Sequence, residues 1–413
     1  MIYSASYEKI PRAGKRSSAK GKDDFLVAGV VVLLLGFVTP GEFDRAALAQ
    51  SGLQKQTAMG IQTLTFRREV IDANPLGSQQ DITLLADLNG DGRADIVIGS
   101  KKGEANLVWY ENPTWRRHII AVAPNLEAGG AIVDINGDGR PDIVAGQQIR
   151  GSELYWFENP PDPRSAWMKR VIENRYEKYH DQFVADVDGD GKPEILFASQ
   201  VAGILAYYDL PSDPTVEPWP RECFHLIAEN MRDVEGLAVV DLDGDGKAEI
   251  LGGPNIFRPP KTPGGAWRRK RFATGFVKTR VASADLDGDG KQEIVLCEGE
   301  SDKGRLAVCH APDYLPRVLF HDLFHPHSLA VADFDGDGRL DIFVGEMGLG
   351  RRENPRLLIY LNNGDGSFTE RLVSKGIPTH EAKVADFGKK GKLSIVGKPY
   401  MPLTQVDLWE NVS

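Results

Sequence analysis

Apolar residues in this chain come in short runs, each closed by a polar turn, and no stretch of useful length keeps a helical period. Residues 328–373 show the unit. Ser328 to Ala332 is a first run and an Asp- and Gly-rich loop follows it; Ile342 to Glu346, Arg356 to Asn362 and Ser367 to Val373 supply three more. Four such runs separated by turn residues predict a four-stranded antiparallel sheet. With 44 Gly and 25 Pro among 413 residues there are turns enough for many such units, and 41% apolar with 26% charged residues is ordinary for a globular chain.

The unit repeats. A ten-residue phrase, Asp87-Leu-Asn-Gly-Asp-Gly-Arg-Ala-Asp95-Ile, recurs from Asp134, Asp186, Asp241, Asp285 and Asp333, and a damaged seventh copy starts at Asp386. Its spacing of about 44 to 55 residues is the period of a propeller blade, not of a helical solenoid. The seventh unit ends after its third run, near Gln405 to Asn411, while Thr63 to Ile71 has the pattern of a fourth strand with nothing before it. The expected fold is therefore an all-β, seven-bladed β-propeller over residues 63–413, with the N-terminal strand completing the last blade so that no edge is left unpaired.

Within each phrase, oxygen-bearing side chains stand at positions 1, 3, 5 and 9, with Gly at 4 and 6. They are Asp87, Asn89, Asp91 and Asp95; Asp134, Asn136, Asp138 and Asp142; Asp186, Asp188, Asp190 and Glu194. The next three blades carry Asp241, Asp243, Asp245 and Glu249; Asp285, Asp287, Asp289 and Glu293; Asp333, Asp335, Asp337 and Asp341. A hard cation takes about six to eight oxygens at about 2.3 to 2.6 Å, which alternate inward-facing residues of one loop can supply, so six structural Ca2+ sites are expected. The bland reading is an Asx-rich turn, but a turn has no need of the fourth acid. In the seventh copy Gly388, Lys390 and Ser394 replace three ligands, and a lysine is expected to stand in for the ion.

Six residues before each loop lies the start of the innermost strand, on the opposite face of the disc. The residues there are Asp81, Ala128, His180, Glu235, Thr279, His327 and His380, flanked by Tyr179, Asp181, Lys278, Arg280, His325 and Glu381. Three of only eight histidines share this offset. Side chains from distant blades would converge there on the axial mouth, where His180, Glu235, Arg280, His327 and His380 are the candidate catalytic residues and one additional divalent metal could sit. A solvated, hydrogen-bonded rim without chemistry is the competing reading.

Targeting and charge narrow the setting. Lys15, Arg16, Lys20 and Lys22 precede an apolar run, Phe25 to Val38, and Ala47-Leu-Ala49 offers small residues for cleavage. Residues 1–49 thus read as a signal peptide, or alternatively as an uncleaved anchor, and 50–62 as a short linker. The expected location is secreted or periplasmic, with no membrane span after cleavage. The chain carries −10, and the leader holds seven basic and five acidic side chains, so the remainder is −12, a balance six divalent ions would offset and one that does not suit nucleic acid. Cys297 and Cys309 fall on neighbouring strands and are either paired or buried thiols, with Cys223 left over. The seven Trp recur at blade-equivalent places, as inter-blade packing requires.

The Asp loops and four-stranded blades resemble the FG-GAP/VCBS repeat propellers of integrin α-subunits and many bacterial secreted proteins, a likeness that implies the fold and calcium. Phrases such as Leu107-Val-Trp-Tyr-Glu-Asn-Pro113, Glu235-Gly-Leu-Ala, His327-Ser-Leu-Ala and Gly397-Lys-Pro-Tyr400 further resemble bacterial relatives of the aldos-2-ulose dehydratase propeller, a family that eliminates water from an oxidised sugar. Two functions follow as expectations. One is a module that binds carbohydrate or a cell-surface partner at the axial pocket. The other is a metal-assisted carbon–oxygen lyase with His180, His327 and His380 as ligands or bases, Glu235 as their partner, and Arg280 or Lys278 stabilising an enolate.

Overall fold

A computed structural model describes residues 64–413, apart from positions 104, 124, 232, 233, 263 and 264. The expected signal segment (1–49) and linker (50–62) lie outside the described residues. Seven four-stranded antiparallel sheets are present, and the one helical element among the described residues is a 3-10 turn, Arg221–Cys223. Six sheets use four consecutive strands. The seventh combines Lys383–Ala385, Ser394–Gly397 and Val406–Asn411 with the N-terminal strand Phe66–Asp72, which pairs from Phe66 opposite Asn411 to Asp72 opposite Val406. The ring is closed by both ends of the chain, as the repeat count predicts.

The first strands touch one another in sequence around the axis, from Ser78–Ala86 of blade 1 through Lys383–Ala385 of blade 7 and back. Second and third strands are nearly continuous apolar runs because both of their faces are covered. In blade 1, Ile96, Val97, Ile98, Leu107, Val108, Trp109 and Tyr110 are all buried. The apolar clusters straddle adjacent blades: Val97 and Trp109 of blade 1 pack with Ile143, Tyr155 and Phe157 of blade 2. Each blade is thus held by its neighbours rather than by a private core. Trp109, Trp156 and Trp409 lie in third strands and are fully buried, while Trp115, Trp167, Trp219 and Trp267 precede fourth strands and join the same inter-blade clusters.

Fourth strands form the rim. In blade 4 this strand is Arg268–Arg271, exposed throughout, and its four positive charges keep an open sheet edge from pairing with another chain. Cys297 and Cys309 are buried thiols packed into different inter-blade clusters, and Cys223 is also unpaired.

Candidate functional site

The Asp loops all lie on one face, between the first and second strands of their blades. Their closure follows from local geometry. Asp87 accepts the backbone N–H groups of Asp91 (3.0 Å) and Gly92 (2.6 Å), and Asp91 accepts that of Arg93 at 2.8 Å. The same bonds recur in the other loops, for instance from Gly191 to Asp186 and Lys192 to Asp190. Glycines at positions 4 and 6 have φ between 72° and 87°, the left-handed region that a side chain resists. In blade 3 one oxygen from each of Asp186, Asp188, Asp190 and Glu194 falls within 4.8 Å of the others, and Asp241, Asp243 and Glu249 form a similar group.

The ninth position has a second task that spacing alone does not reveal. Asp95 is buried and accepts the N–H groups of Leu88 (3.0 Å) and Asn112 (2.9 Å), and Asp142 and Asp341 do the same in blades 2 and 6. With both oxygens so engaged, these aspartates brace loop to third strand. The longer Glu194, Glu249 and Glu293 of blades 3 to 5 accept one such bond each. Burial pushes Asp95, Asp142 and Asp341 up to about 7 and Glu194 up to about 8. In the seventh loop Asp386 still clasps the N–H groups of Lys390 and Gly391, the Lys390 stem lies against Gly388 at the third position, and its ammonium is 3.6 Å from Glu410 on the third strand.

On the opposite face, the starts of the first strands converge on the axis. His180, Glu235, His327 and His380 are buried, and Arg280 is 9% exposed. His180 and His327 both aim Nε2 at Glu235, 3.8 Å from its Oε1 and Oε2 respectively. His180 Nδ1 meets Asp181 Oδ2 at 2.7 Å, and His327 Nδ1 lies 3.2 Å from Glu381 Oε1. One guanidinium ties the two outer carboxylates together: Arg280 NH2 stands 2.6 Å from Glu381 Oε1 and 3.3 Å from Asp181 Oδ1. One imidazole is thus hydrogen-bonded to Asp181, the other sets Nδ1 beside Glu381 without completing a hydrogen bond, the two carboxylates share one arginine, and both rings turn Nε2 toward a third carboxylate.

Electrostatics follow from that arrangement. Burial opposes charge on His180, yet Glu235 and Asp181 outweigh it and raise its pKa to about 9. Burial likewise opposes ionisation of Glu381 and Asp181, but Arg280 holds both well below the usual carboxylate range. Arg280 is thus committed to positioning, whereas residue type alone suggested enolate stabilisation. Lys278 forms an ion pair with Glu300 and is half-buried beside the mouth.

His380 does not join the triad around Glu235. Its ring stacks on His327 with centroids 4.4 Å apart, and its Nδ1 lies 3.3 Å from Asp81 Oδ1 and 3.5 Å from Lys398 Nζ. Burial, His327 and Lys398 push its pKa well below the ordinary histidine value. Beyond it lies a group that the offset count misses. Lys101 Nζ stands 2.8 Å from both Asp81 Oδ2 and Glu127 Oε1 and 5.3 Å from the Tyr400 ring, which is 5.1 Å from the His380 ring. Lys398 is fully buried, donates to the carbonyls of His380 (2.5 Å) and Asp81 (3.2 Å), and is pushed down to about 7 by burial. Ala128 and Thr279, which share the offset, add no ionisable group, and Glu127 and Arg280 beside them do. Lys101 stands at the end of one second strand and Lys398 just past another, and both strands return to the same mouth.

The sequence profile of the FG-GAP-like repeat matches residues 87–145, 134–197, 186–252, 285–344 and 333–396. The chain belongs to the FG-GAP-like repeat family. Several solved structures of low identity are similar to this FG-GAP-like propeller. BBS1N, solved in complex with ARL6DN, has TM-score 0.50 at 12% identity over 84% of this chain and 97% of its own. A lectin of Agrocybe aegerita that recognises non-reducing terminal N-acetylglucosamine has TM-score 0.49 at 20% identity, covering 84% and 86%. Rhamnogalacturonan lyase YesW has TM-score 0.48 at 12% identity, covering 84% and 76%. No curated protein matches the chain. Among the described residues of the FG-GAP-like propeller, no helix is long and apolar enough to cross a membrane.

Proposed function

We propose that this FG-GAP-like propeller is an exported, calcium-braced scaffold whose axial mouth holds one divalent transition metal on His180, Glu235 and His327 and eliminates water from a carbonyl sugar. The observation that carries the reading is the pair of histidines, one hydrogen-bonded to Asp181 and the other beside Glu381, both aimed at Glu235. Such outer carboxylates fix ring orientation and raise ligand basicity at metal sites. Bonds of about 2.0 to 2.2 Å put neighbouring ligand atoms roughly 3 to 3.5 Å apart, so separations of 3.8 Å close around an ion with sub-ångström movement. Glu235 Oε2 is buried without a hydrogen-bond partner, a costly state that a cation relieves.

A bound divalent ion supplies Lewis acidity, polarising a substrate carbonyl so that the neighbouring C–H becomes acidic. The chain's own residues do the rest. Arg280 keeps Asp181 and Glu381 in place behind the histidines. His380, beside His327 but outside the ligand set, takes the proton from the carbon next to the carbonyl. As the hydroxyl on the following carbon departs, the same ring returns that proton to it, and the products are water and a conjugated enone. The sugar class is supported by the likeness of Glu235-Gly-Leu-Ala, His327-Ser-Leu-Ala and Gly397-Lys-Pro-Tyr400 to the aldos-2-ulose dehydratase propeller.

Metal analysis of the full chain after exchange into calcium tests this directly. One tightly held non-calcium metal per chain, lost in a His180→Ala/His327→Ala double variant, is the expected result, with ultraviolet detection of enone from ketose substrates abolished in the same variant. Full metal retention in the double variant overturns the metal site. Turnover unchanged in His380→Ala removes the proton-transfer role, and sugar binding without turnover leaves the site a carbohydrate-binding one.

A further inference from the structure

The wall of the mouth formed by blades 1, 2 and 7 has no part in holding the metal, yet it carries a buried charge array. Lys101 is pinned between Asp81 and Glu127 at 2.8 Å each, with side-chain exposures of 12%, 1% and 3%. Tyr400, half-buried, lies beside both Lys101 and His380. Burying three charges at a strand end costs several kcal/mol before their attraction is counted, and apolar residues would close the fold as well. The array joins blades 7, 1 and 2 through Lys101 and Glu127 and through Lys398 and the Asp81 carbonyl, but by polar contacts rather than through an apolar inter-blade cluster. Its groups face the same mouth as the metal triad, because the Tyr400 ring lies 5.1 Å from that of His380, which in turn stacks on His327 at 4.4 Å.

We infer that Asp81, Lys101, Glu127 and Tyr400 form a sugar-holding wall, in which the Tyr400 ring lies against one face of a neutral polyhydroxylated ring while Lys101 and Glu127 bond its vicinal hydroxyls. This rests on the axial-site reading above and names the ligand class and the residues that select it. An ammonium between two carboxylates offers alternating donors and acceptors, the complement of adjacent hydroxyls, and an amphipathic ring suits the C–H face of a sugar.

Charge decides for a neutral ligand over an anionic one. Around the metal, the carboxylates of Glu235, Asp181 and Glu381 are balanced by Arg280 and the dication. On the wall, Asp81 and Glu127 face Lys101 and Lys398. At the rim, Lys278 faces Glu300. Lys101, Lys278, Arg280 and Lys383 each already face a carboxylate, so a uronate carboxylate would have to displace one of these pairs to repay its desolvation.

The test is calorimetric titration of the metal-loaded full chain with D-fructose, D-glucose and D-glucuronate, with metal content and melting temperature measured on the same samples. At least one neutral sugar is expected to bind at least tenfold more tightly than D-glucuronate. Tyr400→Ala should weaken that binding at least tenfold with metal content and melting temperature unchanged, Lys101→Met should weaken it at least tenfold with metal retained but at a lower melting temperature because Asp81 and Glu127 lose their buried partner, and Tyr400→Phe should keep most of it. Tighter binding of D-glucuronate, no binding of any of the three, or wall variants that bind as the parent overturns the inference. If Tyr400-dependent binding survives in a chain that holds no metal, the wall stands and the metal reading falls; if metal is held and the wall variants change nothing, the wall falls alone.

Discussion

Lys389 occupies the loop position where the six other copies carry glycine, and it holds φ 55° there, in the left-handed region. A side chain in that region costs roughly 1 to 2 kcal/mol. Lys389→Gly is therefore expected to raise the melting temperature by a few degrees, which differential scanning calorimetry would show. Lys398 gives a pH test. Burial, the largest influence, lowers its pKa from 10.5 to about 7, against the pull of Asp81 and Glu381 and with Lys383 and Arg280 adding to it. Between those values the unfolded chain binds a proton that the folded chain does not, so this residue's contribution to stability rises with pH from about 7 to about 10. Melting curves of parent and Lys398→Met should accordingly diverge in the parent's favour over that range; a constant difference would refute the buried, depressed amine. His180, Glu235, Arg280, His327 and His380 were legible as candidates because they fall at or next to one fixed distance from a repeated loop. Lys101, Glu127 and Lys398 were not, because the second strands differ in length and the segment before Glu127 is irregular, so no single offset reaches them. The sharing of Arg280 by Asp181 and Glu381 was equally hidden, since it depends on which neighbours meet across the axis.

At the scale of the element, the Asp loop is a brace as well as a candidate ion site. Where its ninth residue is Asp, the third strand ends in an asparagine that reaches into the preceding blade: Asn159 Nδ2 donates to Leu88 O at 3.1 Å, Asn112 to Phe387 O at 3.0 Å and Asn362 to Leu286 O at 2.7 Å. Asn411 does the same to Phe334 O, and in blade 5 the hydroxyl of Tyr314 reaches Leu242 O at 3.0 Å. Removing the Asn159 amide strands buried carbonyls, so Asn159→Ala should cost about 1 to 3 kcal/mol, read as a lower denaturant midpoint. The ion itself is tested by chelation. If six loops hold Ca2+, excess chelator should lower the melting temperature by many degrees, and the response should shrink in Asp186→Ala, whose loop brings four carboxylates together. An unchanged transition would rule the ions out. Sequence gave strand positions well where apolar runs are doubly covered. Trp219 is set off from its fourth strand, Phe224–Glu229, by a 3-10 turn, Arg221–Cys223. Rim strands are set by hydrogen bonding to one neighbour more than by burial, which leaves a weak hydrophobic signature.

For the whole molecule, blade count and closure were legible because a repeat leaves one incomplete unit and one spare strand, and only their union avoids an open edge. What no local pattern could show is how the axis is filled, since that depends on seven strand starts meeting at once. The closing blade also has a mechanical meaning. Because Phe66 pairs with Asn411, the entry of the first strand and the exit of the last lie side by side at one end of the seam. Tension applied through the two ends of the propeller would load the hydrogen bonds between these strands one at a time, as a zipper is opened, rather than all together in shear. In single-molecule pulling the seventh blade should accordingly yield first and at low force, and a disulfide placed across the Phe66 and Asn411 pair should move the first rupture elsewhere in the ring. A surface protein anchored at both ends would then carry a built-in release point, while one held at a single end would never feel it.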